Sequence, residues 1–353
     1  IFPFMAAKLL IFFVTLLGMK KILFCLTMGL LWLSSCTRPV QRKAEKSPFI
    51  IDVLLKTTPV KDQGRSTLCW VYAMLATIET NHLMQGDSVN LSPNYIARRL
   101  MMDEMRRCYL AHGTAPLRLR GMGPRLLHLL SAYGVVPYDS YSTLKPVNLN
   151  VLAHRLQRAT QAVHDFASLD AQGNRLLDEA LGYLPGATVH MLGADYTPQE
   201  FARSVCRDDE YQALTSFTHH PFGQRFAIEV PDNVAGDSAL NVPLDKLMAF
   251  IVQRLQSGRA VFWEGDVSSE GFDFAGGVAV LTTQHITQQQ RQQAFERLQT
   301  TDDHAMALVG LAHDHHGNRY FIAKNSWGAH NRFHGFVYLS EAYVRLNTTL
   351  VVG

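Results

Sequence analysis

The sequence predicts an α+β protein of two lobes, a helical N-terminal lobe and an antiparallel, β-rich C-terminal lobe, with a long insertion between them. Three observations carry this expectation. Up to about residue 147, apolar residues recur at three- and four-residue steps between helix start and stop signals. From about residue 260, short aliphatic and aromatic blocks bounded by turn residues take over. The stretch 148–241 mixes helical and irregular signals and stands apart from both. A chain of 353 residues that is 47% hydrophobic and 18% charged can bury a large core, so disorder is excluded as its main state. Its formal net charge of +3, with no Lys/Arg run beyond the leader, leaves nucleic acid without an electrostatic footprint.

The first 35 residues read as a leader. Apolar blocks at Leu9–Gly18 and Ile22–Leu33 are split by Met19-Lys20-Lys21, and Leu33-Ser34-Ser35-Cys36 follows the second block. A charged start, an apolar stretch and a small-residue site are the parts of a secretory signal, with Met19 as the expected initiator. The pattern resembles a bacterial lipoprotein leader. That resemblance implies a lipid on Cys36, a polar tether over 36–58, and attachment to a membrane of the bacterial envelope by lipid rather than by a helix. A plain transmembrane anchor is the other reading of the same apolar residues.

The helical lobe is expected over 59–147. Val71, Met74, Leu75 and Ile78 repeat at helical spacing from Thr67, with Gly86 as the stop, so Cys69 falls in a first turn. Ser92-Pro93 opens a second helix, and Gly123-Pro124 a third that ends at Gly134. After the insertion, the β-rich lobe is expected over 242–353, with a helix from Pro243 to Gln256. Its strands are expected at Ala260–Trp263, Ala305–Ala312, Tyr320–Lys324, Gly335–Leu339 and Thr349–Val352.

One constellation carries chemistry. In Gln63-Gly64-Arg65-Ser66-Thr67-Leu68-Cys69-Trp70 a thiol stands at a helix start, where unpaired N–H groups and the helix dipole favour thiolate, and an amide six residues earlier can donate to an oxyanion. Downstream, Asp303-His304-Ala305 opens one expected strand and Asn325-Ser326-Trp327-Gly328 closes the next, after a turn at Asp314–Asn318. Adjacent antiparallel strands can bring His304 to Asn325, which gives a base for the thiol and an acceptor that fixes its tautomer. Trp327 is expected to shield that bond from water.

These residues resemble the papain-like cysteine peptidases, and within them the bleomycin hydrolase and aminopeptidase C branch. The likeness runs from about Pro59 to the C-terminus. It rests on Pro59-Val60-Lys61-Asp62-Gln63-Gly64 with Cys69-Trp70, on the His304 and Asn325 segments, and on Gly134-Val135-Val136-Pro137 and Trp263-Glu264-Gly265-Asp266-Val267. It implies the two-lobed fold with a cleft between the lobes. It also implies Cys69 as nucleophile, His304 as base, Asn325 as its holder and Gln63 as oxyanion donor, acting on peptides without a cofactor or metal. By the same likeness Gly121 pairs through its backbone with the substrate chain, Met122 lies beside the adjoining pocket, and Trp70 and Trp327 border the substrate. Gly121 and Gly123 also read simply as the turn before the third helix.

Departures from the family pattern are Ser66 in place of a disulfide cysteine, Thr67-Leu68 before the nucleophile, and a chain that stops at Gly353, without the C-terminal tail that enforces aminopeptidase action in that branch. Endopeptidase and aminopeptidase action therefore both stay open, as does a homo-oligomer built by the insertion. Two other function classes stay open as well: a papain-like module that binds peptide without turnover, and a cell-wall peptide amidase. His313, His315 and His316 read as solvated turn residues rather than metal ligands, Glu264 and Asp266 as strand-end charges, and Arg98, Arg99, Arg106 and Arg107 as a solvated face. Cys108 and Cys206 are equally compatible with a disulfide and with two buried thiols.

Overall fold

The structure, a computed structural model, describes residues 47–143, 147–191, 193–207 and 209–353; the leader and Cys36 lie outside the described residues. The helical lobe is built round α1 (Cys69–Gln85), which is buried on nearly every side because Trp70, Val71, Met74, Leu75 and Ile78 point to different neighbours. α1 stops where expected: Gly86 takes a left-handed φ of 102°, and its N–H returns to the carbonyls of His82 and Leu83. α2 (Pro93–Leu110) begins with the Ser92 hydroxyl accepting from the Tyr95 N–H and proline in the first turn. α3 (Gly123–Tyr133) follows, also with proline in its first turn.

The insertion does not fold apart from the lobes. Its helices α4 (Leu149–Ala159), α5 (Phe166–Leu181) and α6 (Pro198–Val205) place Leu152, Leu156, Leu169, Leu177 and Phe201 in the same apolar core as α1–α3. β2 (Val189–Met191) and β3 (Ala194–Tyr196) form a small hairpin, while β4 (Ala213–Thr215), β5 (Arg225–Ala227) and β6 (Ser238–Asn241) join the main sheet. The expected boundaries at 148 and 241 thus mark no break in packing. One expected solvated face also proves partly internal. Arg98 is 3% exposed and donates to the Tyr141 hydroxyl, the Gly182 carbonyl and the Asn174 amide oxygen, tying α2 to α5, whereas Arg106 stays at the surface with Asp170.

The second lobe holds the helices α7 (Leu244–Gln256), α8 (Gln288–Glu296) and α9 (Glu341–Asn347) and most of the sheet. Its strands are β7 (Val261–Gly265), β8 (Phe272–Asp273), β9 (Val278–Ala279), β10 (His304–Asp314), β11 (Arg319–Lys324), β12 (Phe336–Ser340) and β13 (Thr348–Val352). The strand order is β5-β6-β4-β13-β7-β10-β11-β12-β9-β8, mostly antiparallel, with β1 (Phe49–Leu54) added on β10. β10 is long enough to take two partners on one edge. Its first half pairs with β7, from His304 opposite Gly265 to Leu308 opposite Val261, and its second half pairs with β1, from Gly310 opposite Leu54 to Asp314 opposite Phe49. A side chain at Gly310 would meet the Val53 carbonyl at 2.4 Å, so only glycine allows β1 this close. Residues 49–54, expected within the tether, are therefore a strand of the folded body.

A buried polar cluster joins the lobes. Glu79, on α1 and 0% exposed, accepts from Lys61 Nζ at 2.5 Å, from the Leu91 N–H at 2.7 Å and from the Thr58 hydroxyl at 2.5 Å. Lys324, the last residue of β11, donates to the Thr58 hydroxyl at 2.7 Å. Breaking such a pair leaves an uncompensated buried charge and typically costs about 3–5 kcal/mol. Glu79→Ala is expected to lower stability by that amount in urea unfolding, with Glu79→Gln, which keeps acceptors, losing less; an unchanged midpoint for the alanine variant would remove this cluster from the account of the fold.

Candidate active site

Cys69 is the first residue of α1, and no side chain caps that helix, so its first N–H groups are unspent by the helix itself. The backbone N–H groups of Ala305 and Trp70 lie near the sulfur and favour its ionised form. Ala305 directly follows His304, so folding has brought the start of β10 against the start of α1.

His304 donates from Nε2 to the Asn325 Oδ1 at 2.8 Å, and the same oxygen accepts from the Ser326 N–H at 2.7 Å. Since Oδ1 can only accept, the proton of the neutral imidazole sits on Nε2, which leaves the Nδ1 lone pair for a proton from elsewhere. The ring of Trp327 lies 4.5 Å from that of His304, centroid to centroid, and is itself flanked by Phe272 and Phe274. Apolar cover of this kind keeps water from competing for the bond.

Gln63 is clamped to the same segment. Its backbone N–H donates to the Ser326 carbonyl at 2.8 Å, its Oε1 accepts from the Ser326 hydroxyl at 2.6 Å, and its Nε2 donates to the Ser66 carbonyl at 2.8 Å. Because the Ser66 carbonyl can only accept, Nε2 is fixed as its donor and the amide cannot flip, and one Nε2 proton remains for another acceptor.

Burial governs the electrostatics. It pushes the Cys69 thiol up to about 12, aided by the negative field of Glu264 and then of Asp232, with the Ala305 and Trp70 N–H groups working in the other direction. It also holds the His304 imidazole down to about 4, against the Asn325 hydrogen bond. The resting pair is therefore thiol and neutral imidazole. Moving the thiol proton to Nδ1 would create two opposite charges that stabilise each other in a low-dielectric setting.

The remaining sequence-selected residues take different places. Trp70 is 0% exposed: its indole N–H donates to the Leu119 carbonyl at 2.9 Å, and its ring lies where a Gly121 side chain would be, 2.9 Å away. Its expected contact with substrate is corrected to support of the 119–121 segment from behind. Met122 is buried in the helical core and offers a cleft only its backbone, at the head of α3. Gly121 keeps its backbone in front of the Trp70 ring, and Trp327 remains partly exposed. Cys108 and Cys206 form no disulfide, and the Cys108 sulfur sits 3.5 Å from the Thr160 hydroxyl.

Sequence reasoning passed over the acidic groups. Glu264 and Asp266, expected as strand-end charges, are both buried. Asp266 is satisfied by Ser268, Ser269 and Thr301. Asp232, from the insertion, accepts from Arg120 at 2.8 Å, and its N–H donates to the Asp302 carboxylate at 2.8 Å. His313 pairs with Asp52 instead of joining His315 and His316. Among the described residues His219, His220 and Glu229 do converge, but Gln292 is fixed by the Thr218 N–H on its Oε1 and donates to His219 Nδ1. That puts the His219 proton on Nε2, facing Glu229 at 3.2 Å, which is a hydrogen bond rather than a metal ligand's lone pair.

The Peptidase C1-like family matches residues 189–352. Aminopeptidase W of Lactobacillus delbrueckii subsp. lactis is 24% identical over 82% of this chain and 79% of its own length, and aminopeptidase G of the same organism is 24% identical over 86% and 83%. Aminopeptidase E of Lactobacillus helveticus is 27% identical over 43% of this chain, a match that spans only 37% of that protein. The solved structure of PepW from Lactobacillus rhamnosis HN001 superposes with a TM-score of 0.64 at 20% identity, covering 86% of this chain and 81% of the other.

Asp302 offers a test of the site's electrostatics. Burial, and then Asp232, raise its carboxyl from 3.8 to about 6. The folded state thus holds this proton more tightly than the unfolded chain, so the cost of ionising it is absent below pH 3.8, grows between, and is complete above pH 6. Asn keeps the acceptor for the Asp232 N–H and carries no charge. Asp302→Asn is expected to stabilise the fold by about 1–3 kcal/mol at pH 7–8, with the gain vanishing toward pH 4; urea midpoints that shift equally at both pH values would contradict this. The two-lobed α+β fold is papain-like, and the family match with these relatives supports a papain-like cysteine peptidase, a hydrolase.

Proposed function

We propose that this chain hydrolyses peptide bonds through a thioester intermediate, with Cys69 as nucleophile, His304 as general base and acid, Asn325 as the residue that orients His304, and Gln63 as oxyanion donor. The observation that carries the reading is the packing of the Cys69 helix against the His304 strand, with the Ala305 N–H near enough to favour the thiolate and the His304 tautomer set by Asn325 Oδ1.

The thiol proton passes to His304 Nδ1 as sulfur attacks the peptide carbonyl, and the carbonyl π electrons move to oxygen. The Gln63 Nε2 proton left over by Ser66 and a backbone N–H at the start of α1 stabilise that oxyanion. Collapse breaks the C–N bond, and His304 gives its proton to the departing amine. Water then attacks the thioester as His304 takes one of its protons; the acid leaves and the thiol is restored. Relatives named as aminopeptidases make a peptide with a free amino terminus one substrate to test, and blocked peptides the other.

On fluorogenic peptides, Cys69→Ala is expected to abolish turnover, His304→Ala to lower kcat by about 10²-fold or more, and Asn325→Ala to act in the same direction through loss of the tautomer lock. Iodoacetamide should label Cys69 ahead of Cys108. Turnover that survives Cys69→Ala would sink the reading, whereas peptide binding without any Cys69-dependent turnover would identify a binding module.

The proposal places the enzyme on a bacterial membrane through lipid at Cys36, supported by the Lys20-Lys21, apolar and Leu33-Ser34-Ser35-Cys36 order. Cys36→Ala is expected to move the protein from the membrane fraction of an expressing bacterium to the soluble fraction; continued membrane retention in the absence of lipid would favour a spanning anchor instead.

A further inference from the structure

We infer that Glu264, with Asp232 and Asp302, forms a subsite beside Cys69 that accepts a cationic group of the substrate, an ammonium or guanidinium, and so selects which peptides are cut. The inference rests on the proposed peptidase function and adds its specificity.

Glu264 lies on β7 directly opposite Ala305, the residue whose N–H lies near the Cys69 sulfur. Directly opposed residues of an antiparallel pair share a face, so the carboxylate and Ala305 point to the same side of the sheet. That side meets the head of α3: the Gly123 N–H lies near enough to favour the ionised Glu264, and the Phe262 ring, two residues earlier on β7, sits 2.8 Å from where a Gly123 side chain would be. The Glu264 Oε2 has no hydrogen-bond partner, although the residue is only 2% exposed. Burial, Asp232 and Asp302 hold the Glu264 carboxyl well above the usual carboxylate range, and a cation that donates to Oε2 would favour its ionised form.

The surroundings give the sign of that ligand. Asp232 and Asp302 are buried too, and the field of both reaches Glu264. Against these three carboxylates stands Arg120, half exposed and committed to Asp232. Asp232 also fixes where the subsite ends. It is held on one side by Arg120, the neighbour of Gly121, and on the other by Asp302, two residues before His304, so the insertion's loop is tied to both walls next to the thiol. The turn is self-braced, Asn233 bonding to the carbonyls of Ile228 and Asp237 and to the Asp237 N–H. A cation bound here would offset the two carboxylates that oppose the Cys69 thiolate, so recognition and activation would reinforce each other.

The test uses six peptides with one reporter amide: Nα-blocked with Arg or with its neutral isostere citrulline at each of the two residues before the scissile bond, and neutral peptides with the amino terminus free or blocked. A charge-assisted hydrogen bond in a buried setting predicts at least about a tenfold advantage in kcat/KM for the cationic member of one pair. An advantage for Arg over citrulline assigns the subsite to a side chain, and an advantage confined to the free terminus assigns it to the α-ammonium. Glu264→Gln and, separately, Asp232→Asn should shrink that advantage several-fold. The same peptides titrated against Cys69→Ala protein by calorimetry report the preference without turnover. If hydrolysis is absent but the cation preference in binding persists, the peptidase reading fails and the subsite stands. If wild type cuts cationic and neutral peptides equally, or Glu264→Gln keeps the full preference, the subsite is overturned and the peptidase reading stands.

Discussion

The geometry depends on one short segment, Thr58–Gln63, being laced to both lobes at once. On the helical side, Lys61 and Thr58 bind Glu79 of α1. On the sheet side, Lys324 reaches Thr58, the Gln63 N–H pairs with the Ser326 carbonyl, and the Gly328 N–H with that of Lys61. The helix that presents the thiol and the strand end that presents Asn325 are thereby fixed to the same few residues. Backbone pairing sets the spacing in steps of one residue, and a slip would take Gln63 away from Ser326 and face it elsewhere. The buried Glu79 adds a penalty for any such slip, since its charge has no alternative donors in the core.

Given that frame, burial determines the chemistry. Desolvation holds Cys69 and His304 neutral, so neither charge exists until a proton moves between them. The two N–H groups near sulfur are already in place, as are the Asn325 oxygen and the Trp327 ring. What polar stabilisation the site can offer is therefore preorganised for the charged pair rather than for the resting one. The same burial raises Glu264 and Asp302, so the acidic groups and the catalytic pair respond to one cause.

Much of this was readable in the sequence where the signal is local. The α1 start at Cys69, the Gly86 stop, the Ser92 cap and the Gly123–Tyr133 helix need only neighbours within a few residues, and the strands that carry His304 and Asn325 were expected within a residue or two of their observed ends. The misses share a different cause. β1 becomes a strand only because residues 310–314 supply its ladder, some 260 positions later. α8 has the polar sequence Gln288–Glu296 and no apolar stripe. It is held by Arg291, buried and donating to the carbonyls of Ser216, Arg345, Leu346 and Thr348, and no local pattern announces those bonds. Arg98 read as part of a solvated face and Glu264 as a strand-end charge because side-chain burial is a property of the partners: α5 for one, the head of α3 for the other.

The insertion shows why the unreadable part matters for function. Its strands are only three or four residues long and its helices enter a core already defined by α1–α3, so it adds bulk to both lobes without changing their order. Its loop around Asp232 is another matter. Three acidic groups gathered beside a thiol that must become an anion cost stability, and whichever of them ionises in the empty site opposes the thiolate. Packing does not require them, since apolar side chains would fill the same space at lower cost. An arrangement unfavourable to the empty protein on both counts becomes favourable only when something positive enters, and the Arg120–Asp232–Asp302 tie holds the carboxylates in place until it does.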